Sequence, residues 1–377
     1  GDAGYVTFTL GNGTVATSTS GKAKAVTTSI TISGTKSENY TFTQPSGITV
    51  DIYRPAITFN ANTGSLSGTA TIYPEYGTKT FYTDSMGSTT ATIPTSTKEG
   101  YTFAGYYTAT TNGTQMVNAS NALVNNFTGT TNATWYARWN ANDQTITYYS
   151  TSATTAYKTV TVKYDASYSM PDTPTTTGFN LVGWSTPADN TAEWTTGNQP
   201  CQGNKSWYAV WSKTWKFYDT SSSSPSATIN YKVDASASQS YSKANPTLSG
   251  YTFAGYSTSN NYTVTTAKGT SSTTVSSSSA SPTFYAVWTR TITQTVNYNA
   301  NGHGSAVSAS TASGTQSLSY NLASKSTVTV TVNIKSTSAT GYTFLGWKQD
   351  NAGDLIPAGN KQFSITENST ITLYAQW

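Results

Sequence analysis

The sequence predicts an all-β to β-rich α+β protein, built as a tandem array of small domains behind an N-terminal β module. Three observations predict it. Thr, Tyr, Val and Ile, the residues that favour strands, prevail, with 27 Tyr and 13% aromatic residues in all. No segment carries a convincing 3.6-residue apolar period, so at most a short helix fits between paired strands. And one pair of aromatic phrases recurs in order four times, the mark of repeated modules.

The first phrase reads GYTFAGY from Gly100, GFNLVGW from Gly178, GYTFAGY from Gly250 and GYTFLGW from Gly341. The second reads WYARW ending at Trp139, WYAVW at Trp211, FYAVW at Trp288 and LYAQW at Trp377. Side chains alternate faces along a strand, so Trp135, Ala137 and Trp139 share a face. Trp207 and Trp211, Phe284 and Trp288, and Leu373 and Trp377 share one in the same way, each pair around an Ala. A large, small, Trp pattern conserves volume, as a core row does. The opposite face holds Arg138, Val210, Val287 or Gln376 in one slot, which reads as surface.

The first phrase is expected to put Tyr101 and Phe103 on its core face, with Phe179 and Leu181, Tyr251 and Phe253, and Tyr342 and Phe344 at the matching places. The Gly inside each phrase suggests a bulge or a close approach of another backbone. Burying one aromatic side chain contributes roughly 2–3 kcal/mol, so each unit holds together without a disulfide, though with little margin.

The closing Trp residues set unit boundaries at 56–140, 141–212, 213–289 and 290–377. Connectors at Asn140 to Thr145, Ser212 to Thr214 and Thr289 to Thr291 are short, which favours self-contained globules in a semi-rigid row, roughly 150 Å for five units in line. Each unit opens on a strand, and those at Ile57 and Val296 run into Asn/Gly hairpin turns at Asn60–Gly64 and Asn299–Gly302. Ser221–Ser224 and Ser271–Ser279 read as low-complexity loops. Residues 1–55 lack both phrases but alternate well, at Tyr5–Leu10, Val26–Ile32 and Ile48–Tyr53. They are either a separate β module or strands that need a partner.

Only 10% of residues are charged, and a net charge of +4 is too weak and too scattered for nucleic-acid or anionic-membrane binding. The aromatic content argues against disorder outside the Ser runs. No apolar run is long enough to span a membrane. Cys201, the one cysteine, excludes an internal disulfide, and its Pro-Cys-Gln-Gly turn predicts an exposed thiol. No signal peptide is visible, and no sorting signal or lipid motif follows the fourth repeat, so an anchor would lie outside the sequence or be non-covalent.

The paired phrases closely resemble the Listeria–Bacteroides repeat, the internalin B-repeat-like module of bacterial surface proteins, over residues 56–377. Trp184 and Trp347 fill the last aromatic slot of the first phrase as that family's pattern does, whereas Tyr106 and Tyr256 depart from it. The resemblance implies small β-grasp-like domains in secreted or wall-attached proteins, often as a stalk between a binding head and the envelope. It carries over no catalytic residue.

Chemistry-bearing residues are sparse. His303, the one histidine, reads as a plain turn residue: any histidine triad would have to rest on it alone, and a zinc site of the usual ligand set cannot be assembled. Glu38, Glu75, Glu99, Glu193 and Glu367 fall at different places in different repeats, which argues against a glycosidase acid pair. Asp350–Asp354 lacks the spacing and distal Glu of a calcium loop and reads as a hairpin turn. Tyr107, Tyr136, Trp194 and Tyr208 are candidates for exposed rings that stack on sugars or anchor a protein partner. Nine Asn-x-Ser/Thr sequons occur, as expected by chance at this composition.

The expectation is therefore an extracellular, non-enzymatic structural or adhesive protein of a bacterial surface, with no cofactor and no metal. Its partners would be other surface or filament subunits, or host and glycan ligands. Two alternatives stay open: a self-assembling subunit of an extracellular filament or phage exterior, associating through residues 1–55, and a carbohydrate-binding module.

Overall fold

The computed structural model describes residues 1–221, 226–350 and 352–377. Ser222–Ser224 of the expected Ser-rich loop and Asn351 of the Asp350–Asp354 turn lie outside them. Nearly every described element is a strand, and the one helical turn among them is a 3-10 turn at Ser37–Asn39. The chain packs as two compact units. One comprises Gly1–Ile146, Val160–Ser169 and Asn198–Asn204; the other comprises Thr147–Thr159, Met170–Gly197 and Lys205–Trp377.

In the first unit, the opening strand Ile57–Asn60 lies parallel to the closing strand Ala133–Ala141, and Phe59 faces Trp135. The closing strand also pairs antiparallel with the phrase strand Tyr101–Tyr107, which pairs with Gln115–Val117. On the other side Ile57–Asn60 pairs with Thr71–Pro74. The first and last strands of the repeat are thus central neighbours, so the core cannot close until the whole repeat is present. Phe59, Trp135 and Tyr106 meet edge to face, with Phe59 centroids 5.5 and 4.7 Å from the other two.

The second unit repeats this parallel pairing twice, at Phe217 against Phe284 and at Tyr298 against Leu373. One feature overturns an expectation. The connectors expected at Ser212 to Thr214 and Thr289 to Thr291 are interior residues of two long strands, Lys205–Tyr218 and Thr283–Asn299. Each strand closes one repeat and opens the next without a turn. Ser212, Lys213 and Thr214 pair with Asn230, Ile229 and Thr228, and Thr289, Arg290 and Thr291 pair with Ser317, Gln316 and Thr315. Neither tripeptide contains Gly or Pro, so nothing in the chain breaks the strand.

Strand continuity explains a second correction. Val210 and Val287, read as surface, are fully buried, whereas Arg138 and Gln376 in the same slot are half-buried. The apolar residue stands in the two copies whose closing strand runs on into the next repeat. The closing Trp follows suit: Trp211 and Trp288 are buried, Trp139 and Trp377 half-buried.

Buried side chains form separate clusters, not one merged interior. Phe59, Tyr106 and Trp135 belong to one, Phe217, Tyr256 and Trp288 to a second, Val296, Trp347 and Leu373 to a third. Leu318, however, enters the cluster of Phe217 and Trp288 from beyond the long strand, with Leu322 packed against it. Neighbouring repeats share residues as well as backbone.

Residues 1–53 differ. Gly21–Thr27 pairs with Thr14–Val15 and Thr49–Ile52, and Thr7–Leu10 pairs with Ile30–Ser33, but no side chain before Arg54 is buried. These strands have hydrogen bonds and no core.

Candidate functional site

The recurring constellation of this chain is structural, and it is built from three positions. The first is the closing Trp. Its indole N–H donates to a backbone carbonyl of the opening turn: Trp139 to Ala61 and Asn62, Trp211 to Ser150, Trp288 to Asp219, and Trp377 to Ala300, at 2.8 to 3.1 Å. In the first and fourth repeats the turn answers, with the Asn62 and Asn301 amides donating to Ala137 O and Ala375 O. Asn62 and Asn301 hold φ of 47° and 56°, the left-handed region that Asn tolerates.

The second is the Gly of the first phrase. Register shifts between Phe103 and Gly105, Leu181 and Gly183, and Phe253 and Gly255, so one residue bulges out of the pairing. The bulge inverts the alternation that follows it. Phe103 and Tyr106 therefore meet on one face with centroids 5.0 Å apart, as do Phe253 and Tyr256, and Phe344 lies 5.2 Å from Trp347. Tyr106, Trp184, Tyr256 and Trp347 are the deepest aromatics of the phrase, at 0 or 1% exposure. Sequence reading missed them because strict alternation put them outside; the internal Gly was the available signal.

The third is the leading aromatic, at the rim between repeats. Tyr101 is half-buried, its ring 5.7 Å from Tyr164 and its hydroxyl donating to Asp165 at 2.7 Å. Phe179 is buried, 5.5 Å from Tyr231 and beneath the Lys213 ammonium. Tyr251 is half-buried against the cluster that Leu318 enters. Tyr342, expected in the core, is instead 52% exposed: it bridges Ala339 outside the named strands, the phrase strand itself begins at Gly346, and its ring lies 4.2 Å from His303.

Of the other core expectations, Trp135, Trp207, Phe284 and Leu373 are buried with Phe179, Phe253, Trp211 and Trp288; Phe103, Leu181 and Phe344 are half-buried like Tyr251, Trp139 and Trp377. Among the proposed stacking rings, Trp194 is buried, its indole donating to Thr196 O and Gly197 O and its ring 5.0 Å from Trp207. It is a core residue. Tyr107 lies under the Arg138 guanidinium, Tyr208 stacks on Tyr149 at 4.8 Å, and Tyr136 is half-buried. Cys201 is buried against Val162 O, since its backbone N–H pairs with Ala166 O and draws the turn inward; the expected exposed thiol is not there.

Several ionisable groups are tied into ion pairs and hydrogen bonds. Glu75 accepts from Arg54 Nε and from Ser20 N and Oγ, all at 2.8 Å. Burial pushes its carboxyl up, but the Ser20 and Arg54 bonds outweigh burial and hold it low. Glu367 pairs with Arg290 and Lys325, which lower it. Lys213 is fully buried, its ammonium donating to Ala237 O and Ser277 O, and burial lowers its pKa. Tyr256 donates to Asp219, and burial with that carboxylate pushes the phenol far up. Among the described residues no three His, Cys, Asp or Glu side chains gather as a metal site would require.

Two comparisons bear on this geometry. The family model of the Listeria–Bacteroides repeat domain matches residues 145–210 and 295–376, within the second and fourth repeats. Internalin H of Listeria monocytogenes serovar 1/2a is 28% identical over 172 residues, covering 43% of this chain and 30% of the relative. The chain thus spans under a third of the relative's length.

Proposed function

We propose that the chain is a non-enzymatic, load-bearing segment of a bacterial surface protein, a tandem-repeat stalk that holds an adhesive part away from the envelope. The observation that carries it is the pair of unbroken strands, Lys205–Tyr218 and Thr283–Asn299, through which tension passes along backbone already paired on both sides of each junction. The match to Listeria–Bacteroides repeats and the likeness to an internalin support the surface setting. The test is protease treatment of intact cells that make the protein: peptides from residues 56–377 are released while cytosolic markers stay inside. Protection on intact cells, with release only after lysis, contradicts the reading.

A second reading, a self-assembling subunit of an extracellular filament or particle exterior, is favoured by one observation: residues 1–53 bury no side chain. A β segment of that length without a core is marginal alone and gains most from an added partner strand. Deleting residues 1–53 then abolishes multimers while the repeats keep their tryptophan fluorescence. Multimers that survive the deletion rule this reading out.

A further inference from the structure

We propose that Lys213 and Gln316 are positioning residues that clamp a small side sheet onto each strand shared by adjoining repeats, so that these junctions hold one arrangement under load. The purpose of the clamp rests on the load-bearing reading above.

The third and fourth repeats each carry a two-stranded sheet apart from the main one: Gln239–Ala244 with Ser272–Ser277, and Val328–Ile334 with Gly359–Ile365. No backbone ladder ties these strands to the shared strand, so the tie comes from side chains. In the third repeat the Lys213 ammonium, two residues beyond the closing Trp211, donates to Ala237 O and Ser277 O. In the fourth, the residue two beyond the closing Trp288 is Arg290. Its Nε donates to Gln316 Oε1 at 2.9 Å, and the Gln316 amide donates to Ser326 O at 2.9 Å and Thr366 O at 2.8 Å.

The carbonyls correspond. Ala237 and Ser326 each stand two residues before the first strand of their sheet; Ser277 ends the second strand, and Thr366 directly follows it. One nitrogen thus gathers both carbonyls, from a lysine in one repeat and from a glutamine oriented by an arginine in the next. The partner slot changes in step, since Lys213 pairs with Ile229 and Arg290 with Gln316. Lys213 and Gln316 are both at 0% exposure. Burying an ammonium or an amide is costly unless its protons are bonded, so each resists any arrangement that takes the carbonyls out of reach. Lys213 also meets the preceding repeat: its ammonium lies 4.6 Å from the Phe179 ring centre, and Gly178 abuts Ser278 O so closely that a Cβ has no room.

The first junction supplies the contrast. The residue two beyond Trp139 is Ala141, where the closing strand ends, and the next strand starts at Asp143. The small sheet of Ser167–Ser169 and Asn198–Pro200 closes its own end there, the Asp165 N–H donating to Cys201 O at 2.7 Å. Shared strand and clamp occur together and are absent together.

The experiment is hydrogen exchange of the full chain, read strand by strand, in Lys213→Met, in Gln316→Leu and in the double variant Lys213→Arg/Ile229→Gln. Near-ultraviolet circular dichroism confirms that each keeps its packed aromatics. Lys213→Met is expected to quicken exchange in Gln239–Ala244 and Ser272–Ser277 about tenfold or more, the scale of lost bonds from a charged donor, while Val328–Ile334 keeps its rate. Gln316→Leu should do the reverse. The double variant copies the fourth-repeat arrangement into the third and should restore protection. Unchanged exchange in the small sheets of folded variants overturns the clamp. Protection lost equally from Phe284–Trp288 and from the other repeat also overturns it, since a general core residue behaves that way. A double variant as loose as Lys213→Met overturns the equivalence of the two junctions. These rates do not depend on cellular location: unchanged rates remove the clamp and leave the surface setting, whereas protection of residues 56–377 on intact cells removes the stalk and leaves the clamp.

Discussion

The Trp139 indole donates to the Ala61 carbonyl at 3.1 Å across 78 residues of chain, and Trp377 donates to Ala300 at 3.0 Å across 77. The last strand of each of these repeats is pinned to its first turn by the same atom pair. The bond explains why the closing phrase ends on Trp: Phe or Leu fills volume but cannot donate to a turn carbonyl. Replacing Trp288 by Phe should cost about 1 kcal/mol through loss of the indole bond to the Asp219 carbonyl, and by Ala about 3–5 kcal/mol through the cavity as well. Urea denaturation followed by far-ultraviolet circular dichroism separates the two.

The phrase glycine should resist substitution for two reasons at once. Gly255 holds φ of +144°, and a Cβ there would lie 2.2 Å from Thr266 O. Gly255→Ala is expected to destabilise the repeat by about 1–3 kcal/mol, the range for a strained backbone held by its surroundings. A midpoint in urea that is unchanged would show that the bulge relaxes freely.

The slot opposite the Trp row gives a reciprocal pair. Val210→Arg places a charge where exposure is 0% and should cost several kcal/mol. Arg138→Val gives up a guanidinium whose Nε has no partner and which touches the Tyr107 ring and donates one long bond to Ala109 O, and should stay within about 1 kcal/mol of the parent. Equal effects in thermal unfolding would refute the link between strand continuity and burial.

Acid should loosen residues 1–53 from the first repeat. The Glu75 carboxyl is held below its ordinary value in the folded chain, so its contribution is present above the ordinary glutamate range and is lost as pH falls through the folded value. Hydrogen exchange at the Ser20 amide, which donates to Glu75, should quicken over that acid window in the parent. Glu75→Gln should remove this pH dependence and destabilise the chain by about 3–5 kcal/mol, since it strips the buried Arg54 of its counter-ion.

How much of this was legible depended on whether the signal was local. The Trp and Ala rows of the closing strand follow from alternation alone, and Trp135, Ala137 and Trp288 are buried as that rule requires. The phrase strand obeys the rule only up to its bulge, so Phe103 packs half-buried against the core while the rule misses the deeper Tyr106. Junction residues were the least legible. Ser212–Thr214 has the composition of a linker, and what makes it strand is pairing with Asn230–Thr228, which no local pattern announces. Cys201 and Trp194 were misjudged for a related cause: each sits in a polar turn, and a tertiary contact pulls the side chain inward. Residues 1–53 alternate as well as any repeat, and alternation did not reveal that their apolar face stays open.

The central claim is that the second, third and fourth repeats are joined by shared strands. Hydrogen exchange of the full chain, resolved at Lys213 and at Arg290, measures it directly. Both amides should be protected as strongly as the strand interiors around Val210 and Val287, and proteases should spare both tripeptides. Rapid exchange at these positions with cleavage between Ser212 and Thr214 would mean separate globules on linkers, and the account would fail.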